Sequence, residues 1–216
     1  MLKNTPELIK VYSHPRSGTH MMMNLLGRNF YPTRDLSWLE TEWGHWSDRH
    51  KDKIRNPYAR LFGSHDFVDE VQYAGPKVYV YRDGRAVALS VWKFLGSEQP
   101  FPKFLRTKLD WSGTPGRRAT PTKTIAEHWY DHVSGWLNKM PPRTVFVRYE
   151  DLLADPATQL QRVSYEFNLH ISKHVDVDER VGILPGDDPF VWKKQFTTAD
   201  LDYFHTVVPE DSYYLL

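Results

Sequence analysis

The chain has 216 residues, 40% of them hydrophobic and 14% aromatic, enough to bury a core in one domain spanning residues 1–216. Its 28 basic and 27 acidic residues leave a formal charge of +1, which excludes an overall field for nucleic acid or an anionic membrane, so an anion site must be local. Cysteine is absent, which excludes disulfides, thiolate catalysis and cysteine-based metal sites.

In chain order, the N-terminus MLKNTPELIK has no apolar signal region, and no segment approaches the roughly 18 apolar residues of a spanning helix, so the expectation is a cytoplasmic chain without a membrane partner. Residues 8–12 (LIKVY) predict a short buried strand and residues 19–30 a helix, with SHPRSGT between them. A strand, a tight turn holding one glycine, and a helix opening with Ser17, Thr19 and His20 gather the first-turn amides at one point, an arrangement that binds anions. The turn is not a Walker loop, which needs a second glycine and a lysine, nor a GxGxxG dinucleotide turn. Taken alone, an ordinary turn with Ser17 as a helix cap is the other reading.

Residues 31–58 are polar, contain Pro and Gly, and carry Trp38, Trp43 and Trp46; residues 97–123 are similar and carry Trp111. Both read as long loops, which in a compact domain are usually functional or mobile. His45 and His50 stand near Asp48 without the spacing of metal ligands, so no metal site is expected. Between the loops, residues 60–64 (RLFGS) form a weaker strand signal that ends at His65, and residues 77–81 (KVYVY) a strong one. A helix over 85–95 follows, with Val87, Val91 and Phe94 on one face. Ser90 on that apolar face needs a partner, one option being its own helix backbone. A helix over 124–138, a strand over 144–148 (TVFVR) and a helix over 157–167 opened by Asp155-Pro156 complete the pattern. Alternating strands and helices predict an α/β fold, a single domain whose central parallel sheet is flanked by helices on both faces.

Four stretches, SHPRSGTHM, VYRDGRAVALS, VRYEDLLADPATQLQRV and VWKKQFT, resemble in order and spacing the marks of the sulfotransferases that use 3′-phosphoadenosine 5′-phosphosulfate. The segment EHWYDHVSGW, Glu127 to Trp136, resembles that family's central helix. The resemblance implies a three-layer fold like that of P-loop NTPases, with this donor, adenosine 3′,5′-bisphosphate as product and no metal requirement. It implies that Arg16, Ser17, Gly18, Thr19 and His20 cradle the 5′-phosphosulfate or lie beside it. Arg82 and Ser90 would bind the 3′-phosphate, Tyr149 would lie near the adenine, and Met21 stands where an adenine-stacking tryptophan is common. The acceptor implied is a small molecule or glycan offering a hydroxyl or an amine.

In sulfuryl transfer, charge builds on the bridging and terminal oxygens, so fixed donors and one side-chain cation can stabilise it. Arg16 takes the place of the family's lysine beside the leaving oxygen, and its planar fork can span two oxygens. His65 takes the place of the family's base, poised near neutrality to accept the acceptor's proton. Three departures stand out. Gly63 replaces a common lysine, Met21 replaces tryptophan, and the Arg-Lys-Gly run that usually grips the 3′-phosphate is absent, the chain reading LPGDDPFV at 184–191. Either Lys193, Lys194 or Arg180 substitutes, or the 3′-phosphate is held less tightly. A P-loop nucleotide kinase and a nucleotide-binding module with weakened catalysis are the competing readings.

Overall fold

In three of the strands aliphatic residues alternate with aromatic or long polar ones: Ile9 and Val11 flank Lys10 and precede Tyr12, Val78 and Val80 flank Tyr79, and Val145 and Val147 flank Phe146. Successive side chains of a strand point to opposite faces, so one face of the sheet becomes aliphatic and the other largely aromatic. The computed structural model describes residues 9–30, 61–110, 123–170, 188–209 and 212. Its strands are β1 (Ile9–Ser13), β2 (Leu61–Ser64), β3 (Lys77–Tyr81) and β4 (Thr144–Arg148). All pair in parallel, in the order β2-β1-β3-β4.

The helices among the described residues are α1 (Thr19–Phe30), α2 (Gly84–Phe94), α3 (Phe101–Arg106), α4 (Ile125–Lys139), α5 (Tyr149–Ala154), α6 (Pro156–Phe167), α7 (Trp192–Gln195) and α8 (Thr198–Val207). The aliphatic face packs against Met22 and Leu26 of α1 and Leu160 and Val163 of α6. On the aromatic face, Tyr12 and Tyr79 meet Trp136 of α4, with ring centroids 4.8 and 4.6 Å away. A further apolar cluster joins α2, α3, α4, α7 and α8 through Val87, Phe104, Trp129, Trp192 and Phe204. Among the described residues no helix is long and apolar enough to cross a membrane.

The predicted strands and helices are present, with ends moved by a residue or so. Thr124 caps α4 through a capping box with Glu127, and Asp155 caps α6. Two expectations are corrected. The stretch from residue 97 is not all loop: α3 forms there, with Pro100 at its N-cap, Pro102 in its first turn, and Phe101, Phe104 and Leu105 buried as one stripe. Prolines that suggested a loop are therefore helix-start prolines. Phe94, expected on the buried face of α2 with Val87 and Val91, is 59% exposed, because α2 ends there. Trp38, Trp43, Trp46, Trp111, His45, His50 and Arg180 lie outside the described residues.

With β1 between β2 and β3, the chain moves to opposite sides of β1 in its successive crossovers. Such a switch opens a crevice at the carboxyl edge of the sheet, where ligands of parallel sheets bind. The segments after β1, β2, β3 and β4 all emerge at that edge.

The tie between α3 and α8 lends itself to a stability test. Asp200 is 1% exposed and accepts from Arg106 at 2.6 Å and from the Thr197 hydroxyl at 2.7 Å. Burial pushes its carboxyl up, but these bonds, the Thr197 amide and the Arg106 charge outweigh it and hold it below the usual carboxylate value of 3.8. A lowered folded-state value stabilises the fold above the unfolded value, and that stabilisation is lost as pH falls through the folded one. Asp200→Asn is expected to cost about 1.5–3 kcal/mol at neutral pH in urea denaturation. The gap should close in acid, and a gap of constant size would contradict the ion pair's contribution.

Candidate active site

At the end of β1 the chain turns tightly: the Ser17 amide donates to the His14 carbonyl at 3.2 Å, and α1 begins at Thr19. The turn is strained. Arg16 has φ 68°, a left-handed conformation that costs a side-chain-bearing residue about 1–2 kcal/mol, and Gly18 has φ 100°. Gly18 is required for a second reason, since a Cβ there would stand 2.4 Å from Cδ2 of Tyr149. The Thr19 hydroxyl is hydrogen-bonded to that of Ser13, tying the first residue of the helix to the last of the strand.

The first amides of α1 have no acceptor within the helix, and the helix dipole favours negative charge at this end. Nearby, two buried polar atoms have no hydrogen-bond partner: the Ser17 hydroxyl oxygen and Nε of Arg82. Buried polar groups left unpaired cost free energy, and a ligand anion is the kind of partner both would accept.

The structure brings Arg16, Arg82, Ser90 and Tyr149 together around this turn. Nε of Arg16 donates to the Ser90 hydroxyl at 3.0 Å, and its guanidinium lies over the Phe94 ring at 4.8 Å. Ser90 thus finds its partner across 74 residues of sequence rather than in its own helix. Nη1 of Arg82 donates to the Arg16 carbonyl at 3.3 Å, and its guanidinium lies 4.6 Å over the Tyr149 ring. The Tyr149 ring, 6% exposed, is the floor on which Gly18 and Arg82 rest.

His65 follows β2 and is 5% exposed. Its Nδ1 lies 2.8 Å from the Ser13 carbonyl oxygen. A carbonyl only accepts, so the ring proton sits on Nδ1 and the lone pair on Nε2, the form a general base requires. Gly63 has a steric explanation: a Cβ there would meet Sδ of Met23 at 2.7 Å and Cγ2 of Thr19 at 2.9 Å, so α1 fills the space a lysine would need. Met21 and His20 are half-buried, Met21 against the aliphatic core. Lys193 and Lys194 are exposed on α7. Lys193 lies 4.8 Å over the Phe190 ring, and Arg85 of α2 lies 3.7 Å over Trp192 while paired with Asp83. The lysine pair therefore flanks the start of α2.

Sequence reading missed the part played by α4. Nε1 of Trp129 donates to the Arg82 carbonyl at 3.0 Å, Nε2 of His132 to the His65 carbonyl at 3.2 Å, and Nε1 of Trp136 to the Asp66 carbonyl at 3.1 Å. His128 reaches the turn after β1 through His14, with Nδ1 of His128 2.9 Å from Nε2 of His14, and Nδ1 of His14 2.8 Å from the Pro15 carbonyl. The available signal was the spacing of His128, His132 and Trp136, which puts three ring donors on one helix face. Burial drives His132 down to about 4, against the opposing pull of its bonds to the His65 and Asp66 backbone, so it is neutral near pH 7. Among the described residues no group of three or more metal-ligand side chains is placed to hold a metal ion.

Comparison with known proteins agrees with this architecture. The family model described as "Sulfotransferase domain" matches residues 6–181. No curated protein matches the chain. Among solved structures, mouse sulfotransferase SULT7A1, determined in complex with PAP, is similar at 17% identity and a TM-score of 0.62, covering 96% of this chain and 84% of that one. The sulfotransferase domain from the Synechococcus PCC 7002 olefin synthase is similar at 15% identity and a TM-score of 0.53, covering 96% of each chain.

The contact between Gly18 and Tyr149 predicts that Gly18→Ala destabilises the fold by about 1–3 kcal/mol through overpacking, beside the strain of a left-handed alanine. The denaturation midpoint measures it. A midpoint equal to that of the wild type would show that the turn does not need its glycine.

Proposed function

Taking as premise that the chain belongs to the sulfotransferase-domain family and moves a sulfuryl group, we propose that it draws this group from 3′-phosphoadenosine 5′-phosphosulfate and passes it to a hydroxyl or amine of a small-molecule or glycan acceptor in the cytoplasm. The observation that carries the donor assignment is the pair of buried, unpartnered polar atoms, Ser17 Oγ and Arg82 Nε, beside the amide-rich start of α1. The donor supplies an activated sulfuryl group on a phosphate leaving group. The amides and hydroxyls from Ser17 to Thr19 hold the 5′-phosphosulfate, His20 and Met21 line its approach, and Tyr149 lies toward the adenine.

Arg82 and Ser90 hold the 3′-phosphate. Arg16, bonded to Ser90, stands between that phosphate and the leaving oxygen, where it stabilises charge on the second and makes up for the absent Arg-Lys-Gly run. Lys193 and Lys194 add cationic charge from α7. Nε2 of His65 takes the acceptor's proton as its oxygen or nitrogen attacks sulfur. Fixed donors and guanidinium groups neutralise the developing charge, so the proposed reaction requires no metal.

The donor assignment is tested by calorimetry. Arg82→Ala is expected to weaken adenosine 3′,5′-bisphosphate by about one to two decades while barely changing adenosine 5′-monophosphate. Equal losses for both nucleotides would contradict it. The acceptor class is found by following labelled sulfate to phenols, alkyl alcohols, amines and glycans. With any acceptor found, Arg16→Ala should lower turnover roughly 10²–10³-fold, and His65→Ala about 10²–10⁴-fold with bisphosphate affinity kept. Wild-type turnover in either variant would sink that residue's role.

A further inference from the structure

Loops that leave a parallel sheet have no ladder partners for their carbonyl groups, and under a helix they cannot turn them to water. Here the carbonyls of Arg82, His65 and Asp66 are met by ring N–H groups of Trp129, His132 and Trp136 of α4. The carbonyl of Pro15 is met by His14, which is itself held by His128. One helix thus reaches the segments after β1, β2 and β3, which carry Arg16, His65 and Arg82.

The proton on each ring follows from its partners. His14 Nδ1 faces a carbonyl and must donate, so its Nε2 accepts, and His128 Nδ1 must donate to it. His132 Nε2 faces the His65 carbonyl and must donate, so its Nδ1 accepts from the Tyr79 hydroxyl, 2.8 Å away. Burial, with Tyr81 adding to it, pushes the Tyr79 phenol well above its usual value, which keeps that hydroxyl protonated. Tyr79 and His132 are both fully buried, so the pair does not exchange its bonds with solvent.

We propose that His132, oriented by the Tyr79 hydroxyl, is a positioning residue for sulfuryl transfer: it grips the carbonyl of His65 so that the His65 ring keeps Nδ1–H on the Ser13 carbonyl and its lone pair on Nε2. The proposal rests on the reading of His65 as the base. The bond falls on the base's own main chain, and the ring it steadies makes a bond to the Ser13 carbonyl that needs the His65 backbone in register with Ser13. A histidine side chain free in water prefers the proton on Nε2, so a His65 released from this grip would shift toward a mixture of tautomers. A ring displaced by even about an ångström loses on the order of 10²-fold in rate.

Three enzymes separate this role from general support of the fold. His132→Phe keeps the ring volume and loses the donor, His132→Gln places an amide N–H close to the position of Nε2, and Tyr79→Phe removes only the hydroxyl. Long-range proton–nitrogen spectra of nitrogen-labelled protein read the tautomer of His65, calorimetry reads adenosine 3′,5′-bisphosphate affinity, and labelled sulfate transfer to phenol reads turnover. The wild type should show His65 as the Nδ1–H tautomer and His132 as the Nε2–H tautomer. His132→Phe should show a tautomer mixture at His65 and lose about 10²-fold in turnover with bisphosphate affinity within about twofold of wild type. His132→Gln should restore both the tautomer and most of the rate.

Tyr79→Phe should shift the His65 signal the same way by a smaller amount, and it tests the grip even where His132→Phe does not fold. A His65 signal unchanged in Tyr79→Phe and in any folded His132→Phe overturns the proposal, as does a His132→Gln enzyme no better than His132→Phe. Wild-type turnover in His65→Ala overturns the base reading and the proposal with it. An impaired His65→Ala beside a His132→Phe enzyme of wild-type turnover overturns the proposal alone.

Discussion

The ring N–H groups of one helix on the carbonyls at the carboxyl edge of the sheet are the constraint on which the rest of this structure depends. Segments leave all four strands at the same edge, and burying their backbone without partners would cost more than marginal stability allows. α4 resolves this with side chains that are at once core and donor. Trp129 and Trp136 are fully buried, and each spends its single N–H on a loop carbonyl. Trp136 also stacks on Tyr79, 18° from parallel, so the helix that fixes the loops is itself fixed against the aromatic face of the sheet. Packing and loop geometry are therefore one set of contacts.

Against that fixed edge, the turn after β1 stands out as unfinished. Its strain at Arg16, its close approach to Tyr149 at Gly18 and its tie from Ser13 to Thr19 spend stability to hold one geometry. Yet beside it Ser17 Oγ and Arg82 Nε are buried and lack partners. A polar site left open in a rigid surround favours a ligand that completes it, and an anion with two phosphate-like groups suits the first turn of α1 at one end and the Arg82–Ser90 side at the other. The bond from Arg16 to Ser90 links these two ends.

How much of this was legible in sequence varied with the range of the interaction. Apolar runs such as KVYVY and TVFVR exposed β3 and β4, and the pair Asp155-Pro156 exposed the start of α6. α3 was hidden because Pro100 and Pro102 read as loop while they open a helix. α8 carries a capping box from Thr197 to Asp200 that passed unnoticed at the end of a recognised motif. His65 was found through the order of motifs, since a histidine at a strand end is chemically unremarkable. The Arg16–Ser90 bond and the reach of His132 to His65 span 74 and 67 residues, and nothing local in sequence encodes a partner at that distance. The empty place at Gly63 was visible, but the crowding by Met23 and Thr19 that explains it was not.

The decisive measurement is a crystal structure with adenosine 3′,5′-bisphosphate bound. The 5′-phosphate should lie against the first turn of α1, with one oxygen within hydrogen-bond reach of Ser17 Oγ, and the 3′-phosphate within reach of Arg82 and Ser90, while the bonds from α4 to Arg82, His65 and Asp66 keep their partners. A nucleotide seated away from this turn, with Ser17 Oγ and Arg82 Nε still lacking partners, would contradict it.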